Sequence, residues 1–315
     1  MTSASGAGAS GQRLRLGTRS SPLAIAQSRL VAQALEAAHS GVVVELVPMS
    51  TRGDRLPGDL NKVGGKGLFT AELEAGLLDG TLDLAVHSLK DLPVRAHDEL
   101  VIAAYPERAD SRDVLVSEVA TRVRELPRGA RVLTGSLRRQ AQLLALRPDL
   151  EMVPVRGNVE TRLRKRRETG AEATVLAAAG LARLGLVDEA AHPLEADEVL
   201  PAPGQGTLAV QTRRDGNAET LCRALDHAPT RAAATAERAV VAAFGGDCTL
   251  PLAAWGRAAD GGFTLTALLA MPDGSEVVRG EGAGLDIEAV AAACIDRMRA
   301  QGADALLDRL HSVAG

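Results

Sequence analysis

Arg13-Leu14-Arg15-Leu16-Gly17-Thr18-Arg19-Ser20-Ser21-Pro22-Leu23-Ala24-Ile25-Ala26 is the stretch that decides the fold. Residues 13–17 alternate polar and apolar, the period of a strand with one buried face. Ser21 followed by Pro22 then reads as a helix N-cap with proline at the first helical position, where an N–H would have no helical partner anyway. Beyond it Leu23, Ala26, Leu30, Ala34 and Leu35 recur at helical spacing. Val42–Met49 reads as the next strand, and this β-α-β start predicts a parallel α/β sheet.

The same alternation continues outward. A Gly-rich loop at Gly64–Gly67 precedes a helix around Leu68–Leu78 and a strand at Leu82–Val86. A second set comes next: strands at Asp113–Ser117 and Arg131–Thr134, a helix opened by Ser136, a strand at Met152–Val155, a helix from Asn158, and a buried-strand run at Thr174–Ala179. The Pro- and Gly-rich Leu200–Gly206 reads as a connection between lobes, and Leu208–Gln211 as one more strand. From about Thr230 the pattern changes to one helix reaching Ala243, strands near Leu252–Trp255 and Phe263–Ala270, a turn at Asp273-Gly274 and a helix from Asp286, which predicts a small α+β domain.

Composition excludes several classes. The 315 residues give a prior of two domains, with three allowed, and 46% hydrophobic with 24% charged residues is ordinary globular composition. No apolar run approaches the roughly 18 residues needed to span a bilayer. Met1–Gly11 is Ser/Gly/Ala-rich and reads as a disordered tail, not a signal peptide. Cys222, Cys248 and Cys294 are far apart without CxxC spacing, which argues against a disulfide framework and a metal site and suits a reducing, cytoplasmic setting. A net charge of −4 with 2% aromatics leaves little for bases to stack on, so neither nucleic acid nor membrane is an expected partner; a small molecule is.

Among 36 basic residues only Lys62, Lys66, Lys90 and Lys165 are lysines, and three of them fall between positions 62 and 90. Arginine-heavy usage is open to a compositional reading, but a compact ammonium is not interchangeable with a guanidinium at a site. Gly17-Thr18-Arg19-Ser20-Ser21 and Thr134-Gly135-Ser136-Leu137-Arg138-Arg139 both place glycine, hydroxyls and arginine where a strand turns into a helix. Such turns are either ordinary helix caps or anion sites. One in each lobe favours an inter-lobe cleft for an anionic ligand.

Six segments carry a resemblance: Ser50-Thr51-Arg52-Gly53-Asp54, Lys62-Val63-Gly64-Gly65-Lys66-Gly67-Leu68-Phe69, Val86-His87-Ser88-Leu89-Lys90-Asp91-Leu92-Pro93, Ser136-Leu137-Arg138-Arg139-Gln140, Arg156-Gly157-Asn158 and Pro203-Gly204-Gln205-Gly206. In order and spacing, from about Arg13 to Trp255, they resemble the porphobilinogen deaminase, or hydroxymethylbilane synthase, family. The resemblance implies two periplasmic-binding-protein-like α/β lobes with an interdomain cleft, plus a small C-terminal α+β domain. The expected division is a tail at 1–11, lobe 1 at 12–108 with 204–226, lobe 2 at 109–203, and a third domain at 227–315. It further implies a monomeric cytoplasmic transferase that condenses four porphobilinogens, losing ammonia each time, on a covalent dipyrromethane cofactor, then releases the tetrapyrrole by hydrolysis.

By the same resemblance Asp91 is the catalytic carboxylate, with Lys90 beside it, and Cys248 carries the cofactor through a thioether. Lys90, Asp91, Ser136, Arg138, Arg139, Arg156 and Gly157 are expected to hold the cofactor; Arg19, Ser21, Arg156, Arg162, Arg183, Gln205, Lys62 and Lys66 are expected to bind substrate carboxylates. The carboxylates outnumber these arginines, so the growing chain is expected to shift through the cleft. His87 reads as structural, Arg162 as functional, and Arg164, Lys165, Arg166 and Arg167 as surface. Taken alone, Asp91 before Leu92-Pro93 also reads as a turn cap, and Cys222 and Cys294 as buried small hydrophobes.

Three positions depart from the family pattern. Asp247 stands where glycine commonly precedes the cysteine, Ala254 where a glycine often follows, and Gly135 where a serine is often seen. A carboxylate next to Cys248 disfavours its thiolate. The alternative class is a two-lobed carboxylate or oxyanion binder without catalysis; a pyridine-nucleotide enzyme is disfavoured because no GxGxxG follows the first strand.

Overall fold

The strand and helix read from Arg13 onward both form. In the computed structural model, which describes residues 12–51, 70–94, 97–188, 190–245 and 250–314, β1 (Gln12–Arg19) pairs in parallel with β2 (Val42–Met49) through α1 (Pro22–Ala38). Ser21 Oγ accepts the Ala24 N–H at 3.3 Å, and Pro22 opens the helix. α2 (Ala71–Leu78) leads to β3 (Leu84–Ser88), which adds in parallel to the other side of β1. The expectations for Met1–Gly11, Gly64–Gly67, Lys62, Lys66, Asp247 and Cys248 lie outside the described residues.

The first sheet is mixed, not purely parallel. After β4 (Leu100–Ala104) the chain leaves and builds a second sheet from β5 (Asp113–Val116), β6 (Arg131–Leu133), β7 (Glu151–Val153), β8 (Ala173–Ala177) and β9 (Ala191–Pro193). It returns as β10 (Leu208–Arg213), which inserts between β3 and β4 antiparallel to β3, giving the order β2-β1-β3-β10-β4. The second sheet has the same plan, β7-β6-β8-β5-β9, with β5 antiparallel to β8. An antiparallel strand starts where its parallel neighbour ends. Asp113 therefore lies opposite Ala177, and Leu208 opposite Ser88, at the carboxyl edge where open α/β sheets bind ligands.

In the second lobe α3 (Leu137–Leu146) follows β6, α4 (Val159–Thr169) follows β7, and α5 (Ala178–Leu184) follows β8. The apolar run 174–179 thus splits: the Ala178 N–H donates to Arg112 O at 3.0 Å and the chain turns into α5. Segments 105–112 and 194–207 cross between the lobes and touch, the Ala109 N–H donating to Gly206 O at 3.3 Å. Gly206 has φ +85°, and a Cβ there would fall 2.5 Å from Ala109 O, so the crossing requires glycine.

Beyond β10 come α6 (Asn217–Cys222) and α7 (Ala228–Ala243), then the antiparallel sheet β11 (Leu252–Ala259), β12 (Gly262–Ala270) and β13 (Val277–Gly284), then α8 (Ile287–Ala300) and α9 (Ala303–Ala314). Phe244, Leu265, Cys294 and Met298 share its core, each side chain buried at a gain of about 1.5–3 kcal/mol for the large ones. Among the described residues no helix is long and apolar enough to cross a membrane.

Candidate active site

Lys90 and Asp91 sit on a single 3-10 turn, Leu89–Asp91, continuous with β3. Leu89 and Leu92 are buried on either side of them against Tyr105 and Ala234, while the Leu89 N–H donates to Thr207 O at 3.0 Å and the Leu92 N–H to Leu89 O at 3.1 Å. Both ends of the turn are anchored, and the two charged side chains are exposed between them. Protein mass around the Lys90 ammonium strips its hydration and pushes its pKa down to about 8; Arg139 and Arg138 act in the same direction, Asp91 and Asp113 against it. Exposed by area, Lys90 nonetheless lies within the field of Arg138, Arg139 and Asp113 of the other lobe.

Across the cleft the second turn is built around a buried carboxylate. Arg139 donates from Nε and Nη2 to Asp113 Oδ1 at 3.1 and 2.7 Å and from Nη1 to Val175 O at 2.8 Å. Arg138 Nη2 lies 2.8 Å from Asp113 Oδ2, and its Nη1 donates to Leu200 O at 2.6 Å. Burial alone would raise the Asp113 pKa, but the two guanidiniums overcome it and hold it well below the usual carboxylate range. Asp113 Oδ2 and Arg138 Nε are buried without an aligned hydrogen bond.

The expected clamp is therefore arranged differently in part. Arg138 and Arg139 are each 4% exposed and turned onto Asp113, because a solvent-poor guanidinium requires a counter-ion. Gln205, expected to meet substrate carboxylates, is also buried: both its amide hydrogens go to Ser111 O and Asp113 Oδ1, at 2.8 and 2.9 Å. Arg183 donates to Gly206 O at 2.7 Å, and burial pushes its pKa down to about 10. Arg166 is corrected from surface to buried, both its Nη groups hydrogen-bonded to Glu118.

Other residues do face the opening. Arg156 and Gly157 are exposed on the link from β7 to α4, and half-buried Arg162 donates from Nε to Gly157 O at 2.9 Å. Burial lowers the Arg162 pKa, Arg139 and Arg156 add to this, and Asp91 opposes it, which brings Asp91 and these arginines together. Arg19 ends β1 beside His87, whose pKa falls to about 4 by burial and by that charge, against its hydrogen bond with Gln211; His87 is neutral and structural. Ser136 Oγ accepts the Arg139 N–H at 3.4 Å, so Ser21 and Ser136 are both true caps, and a cap oxygen still has its O–H to donate.

Gly135 has a steric basis: a Cβ would fall 2.6 Å from Val155 O. Cys222 and Cys294 are buried, which pushes their thiols up to about 12 and 11 and away from nucleophilic character. Among the described residues no cluster of His, Cys, Asp and Glu could hold a metal.

Lys90 lies within the field of Asp91, Asp113, Arg138 and Arg139, and Arg162 within that of Asp91, Arg139 and Arg156, so these charges form one connected group. Five cations against two carboxylates suit a polycarboxylate and fit a dipyrromethane bearing acetate and propionate arms.

The family description "Porphobilinogen deaminase, dipyromethane cofactor binding domain" matches residues 14–220, and "Porphobilinogen deaminase, C-terminal domain" matches residues 232–298. The chain belongs to the porphobilinogen deaminase family. It is 45% identical over 304 residues to "Porphobilinogen deaminase" of Trichlorobacter lovleyi, covering 95% of this chain and 97% of that one. Identity is also 45% over 305 residues to the protein of the same name from Syntrophotalea carbinolica, covering 96% and 97%. Among solved structures the methionine-binding protein MetQ aligns with TM-score 0.41 and 13% identity over 71% of this chain and 94% of that one. Family membership makes the chain an enzyme of tetrapyrrole biosynthesis, with dipyrromethane as its cofactor.

Two residues central to this geometry are not among the candidate site residues read from the sequence. Asp113 opens an otherwise apolar strand, Val114–Val116, and a charge at the mouth of a buried strand is its one sequence mark. Glu237 lies fully buried in α7, its Oε1 accepting from Arg108 Nη1 at 2.7 Å and the Gly256 N–H at 2.8 Å and its Oε2 from the Gly204 N–H at 2.5 Å, which ties the third domain to the lobe crossing.

Proposed function

We propose that the chain condenses four porphobilinogen molecules head to tail, with loss of ammonia at each step, and releases hydroxymethylbilane by hydrolysis. The observation that carries this reading is the meeting, at the turn bearing Lys90 and Asp91, of that turn's charges with Arg138, Arg139 and Arg162 of the other lobe. The dipyrromethane, attached through Cys248, supplies a pyrrole carbon nucleophile and carboxylate arms. Lys90, Ser136, Arg156 and Gly157 would line its side of the cleft, with Arg138 and Arg139 behind them, held on Asp113; Arg19, Ser21, Arg156, Arg162 and Arg183, with Lys62 and Lys66, would receive substrate carboxylates. Gln205 contributes by holding Asp113 in place.

Asp91 presents its carboxylate where departure of ammonia leaves positive charge on a pyrrole, and a fixed anion stabilises that charge as it develops. Lys90, with a pKa near 8, is mainly ammonium at neutral pH and pairs with substrate and cofactor carboxylates, while the Asp91 carboxylate is left to meet the cationic centre. Arg138 and Arg139, held on Asp113, contribute a fixed positive field to the cleft without reorganising. The working division is lobe 1 at 12–108 with 204–226, lobe 2 at 109–203 and a third domain at 227–315, acting as a cytoplasmic monomer. Incubating the purified protein with porphobilinogen tests the reading: a product that cyclises to uroporphyrin is expected, and binding of porphobilinogen without ammonia release contradicts it.

A further inference from the structure

Helix α7 lies behind the turn that carries Lys90 and Asp91. Arg238, within α7, donates from Nη1 to Leu92 O at 3.3 Å and from Nη2 to Pro93 O and Val94 O, each at 2.9 Å. These are the first three carbonyls past Asp91. Ala234, about one helical turn earlier on the same helix, packs with Leu89 and Leu92, the residues that bracket the turn. The C-terminal domain thus shapes this turn together with the lobe 1 sheet. Among the described residues Arg238 pairs with no carboxylate, so its half-buried guanidinium is held by carbonyls. The same helix ends at Ala243, shortly before Cys248 in the chain.

We propose that Arg238 is a positioning residue for Asp91: its planar fork pins the 92–94 carbonyls, fixes the direction of the Asp91 side chain, and ties the catalytic turn to the helix leading to the cofactor cysteine. The proposal rests on the role given to Asp91 above. A guanidinium can serve three carbonyls at fixed angles, which an ammonium on a flexible stem cannot reproduce. Reaction rates are steep in such geometry, a displacement of about 1 Å costing roughly a hundredfold. Because the fork spans the lobe and the third domain, any lobe motion must carry the turn and α7 together or break these bonds.

The test uses the cofactor-loaded enzyme and the variants Arg238→Gln, Arg238→Lys, Asp91→Asn and Arg238→Gln/Asp91→Asn. Arg238→Gln is expected to lower kcat by about 10- to 100-fold with KM for porphobilinogen nearly unchanged. Its denatured mass should still carry the cofactor increment, and amide hydrogen exchange in segment 88–94 should quicken while segment 42–49 stays as it was. Arg238→Lys should be intermediate. In the Asp91→Asn background the second substitution should add almost nothing, since the two residues act as one unit. Losses that multiply, an unchanged kcat, or a lowered melting temperature as the sole effect each overturn the positioning role. Should Arg238→Gln not fold, Arg238→Lys carries the same readouts, and the same results support or overturn the role. Full activity of Asp91→Asn itself defeats the assignment of Asp91, an outcome separate from any result at Arg238.

Discussion

Asp113→Asn removes the charge on which two buried arginines depend. The carboxylate is fully buried, and the Arg138 and Arg139 side chains beside it are each 5% exposed at 2.8 and 2.7 Å. Breaking a buried ion pair by neutralising one partner costs about 3–5 kcal/mol, because the other charge stays buried without compensation. Here two guanidiniums are stranded close to Lys90, which favours the upper part of that range. With a urea slope of about 2 kcal/mol/M, the midpoint should fall by roughly 2 M. The acid limb gives a second signature. The folded-state pKa of Asp113 is depressed, so its stabilisation is complete above the unfolded value of about 3.9 and is lost as pH falls through the lower folded value. The gap between the variant and the parent should therefore narrow below about pH 4. A midpoint shift under about 0.3 M, roughly 0.6 kcal/mol at that slope, would refute the view that Asp113 holds Arg138 and Arg139 in place.

Lysine acylation at Lys90 should rise with pH about a midpoint near 8, and carboxylate ligands in the cleft should shift that midpoint upward by favouring the ammonium; peptide mass spectrometry showing an ordinary lysine midpoint of about 10.4 contradicts the crowded-cleft assignment. Gly135→Ser, which supplies the hydroxyl the family pattern suggests, should lower stability by about 1–3 kcal/mol in urea unfolding, because its Cβ meets Val155 O; a neutral or stabilising effect would show that the turn has room. Arg156→Leu should alter the population of enzyme species carrying one to four added pyrrole units in native mass spectra, and a ladder identical to the parent's would remove Arg156 from the carboxylate set.

The lobes are legible in the sequence where local signals and tertiary structure agree. Ser21-Pro22, Ser136 and Asn158 mark helix starts by capping, and each side chain does accept a backbone N–H. The antiparallel strands are not legible, since pairing direction is set by where the chain re-enters a sheet. β13 is missed for another reason: the sequence signals pass from the Asp273-Gly274 turn straight to the helix at Asp286, and its glycines weaken the strand signal, yet a Cβ at Gly280 or Gly282 would fall 2.3 or 2.1 Å from the Cys294 or Val290 carbonyl oxygen of α8, so glycine is what lets the helix dock. The turn with Lys90 and Asp91 is legible through its motif. Asp113 is not, because its importance lies in the arginines that the segment from β6 into α3 brings to it from another part of the chain.

The most direct measurement is the intact mass of the denatured, active protein. A thioether survives denaturation and thiol reductants, so the mass should exceed that of the sequence by two linked pyrrole units. Cys248→Ala should lack the increment and be inactive, whereas Cys222→Ala and Cys294→Ala, at thiols that are buried and inert, should keep both increment and activity. An increment on another cysteine, or active enzyme with no increment, would contradict the account.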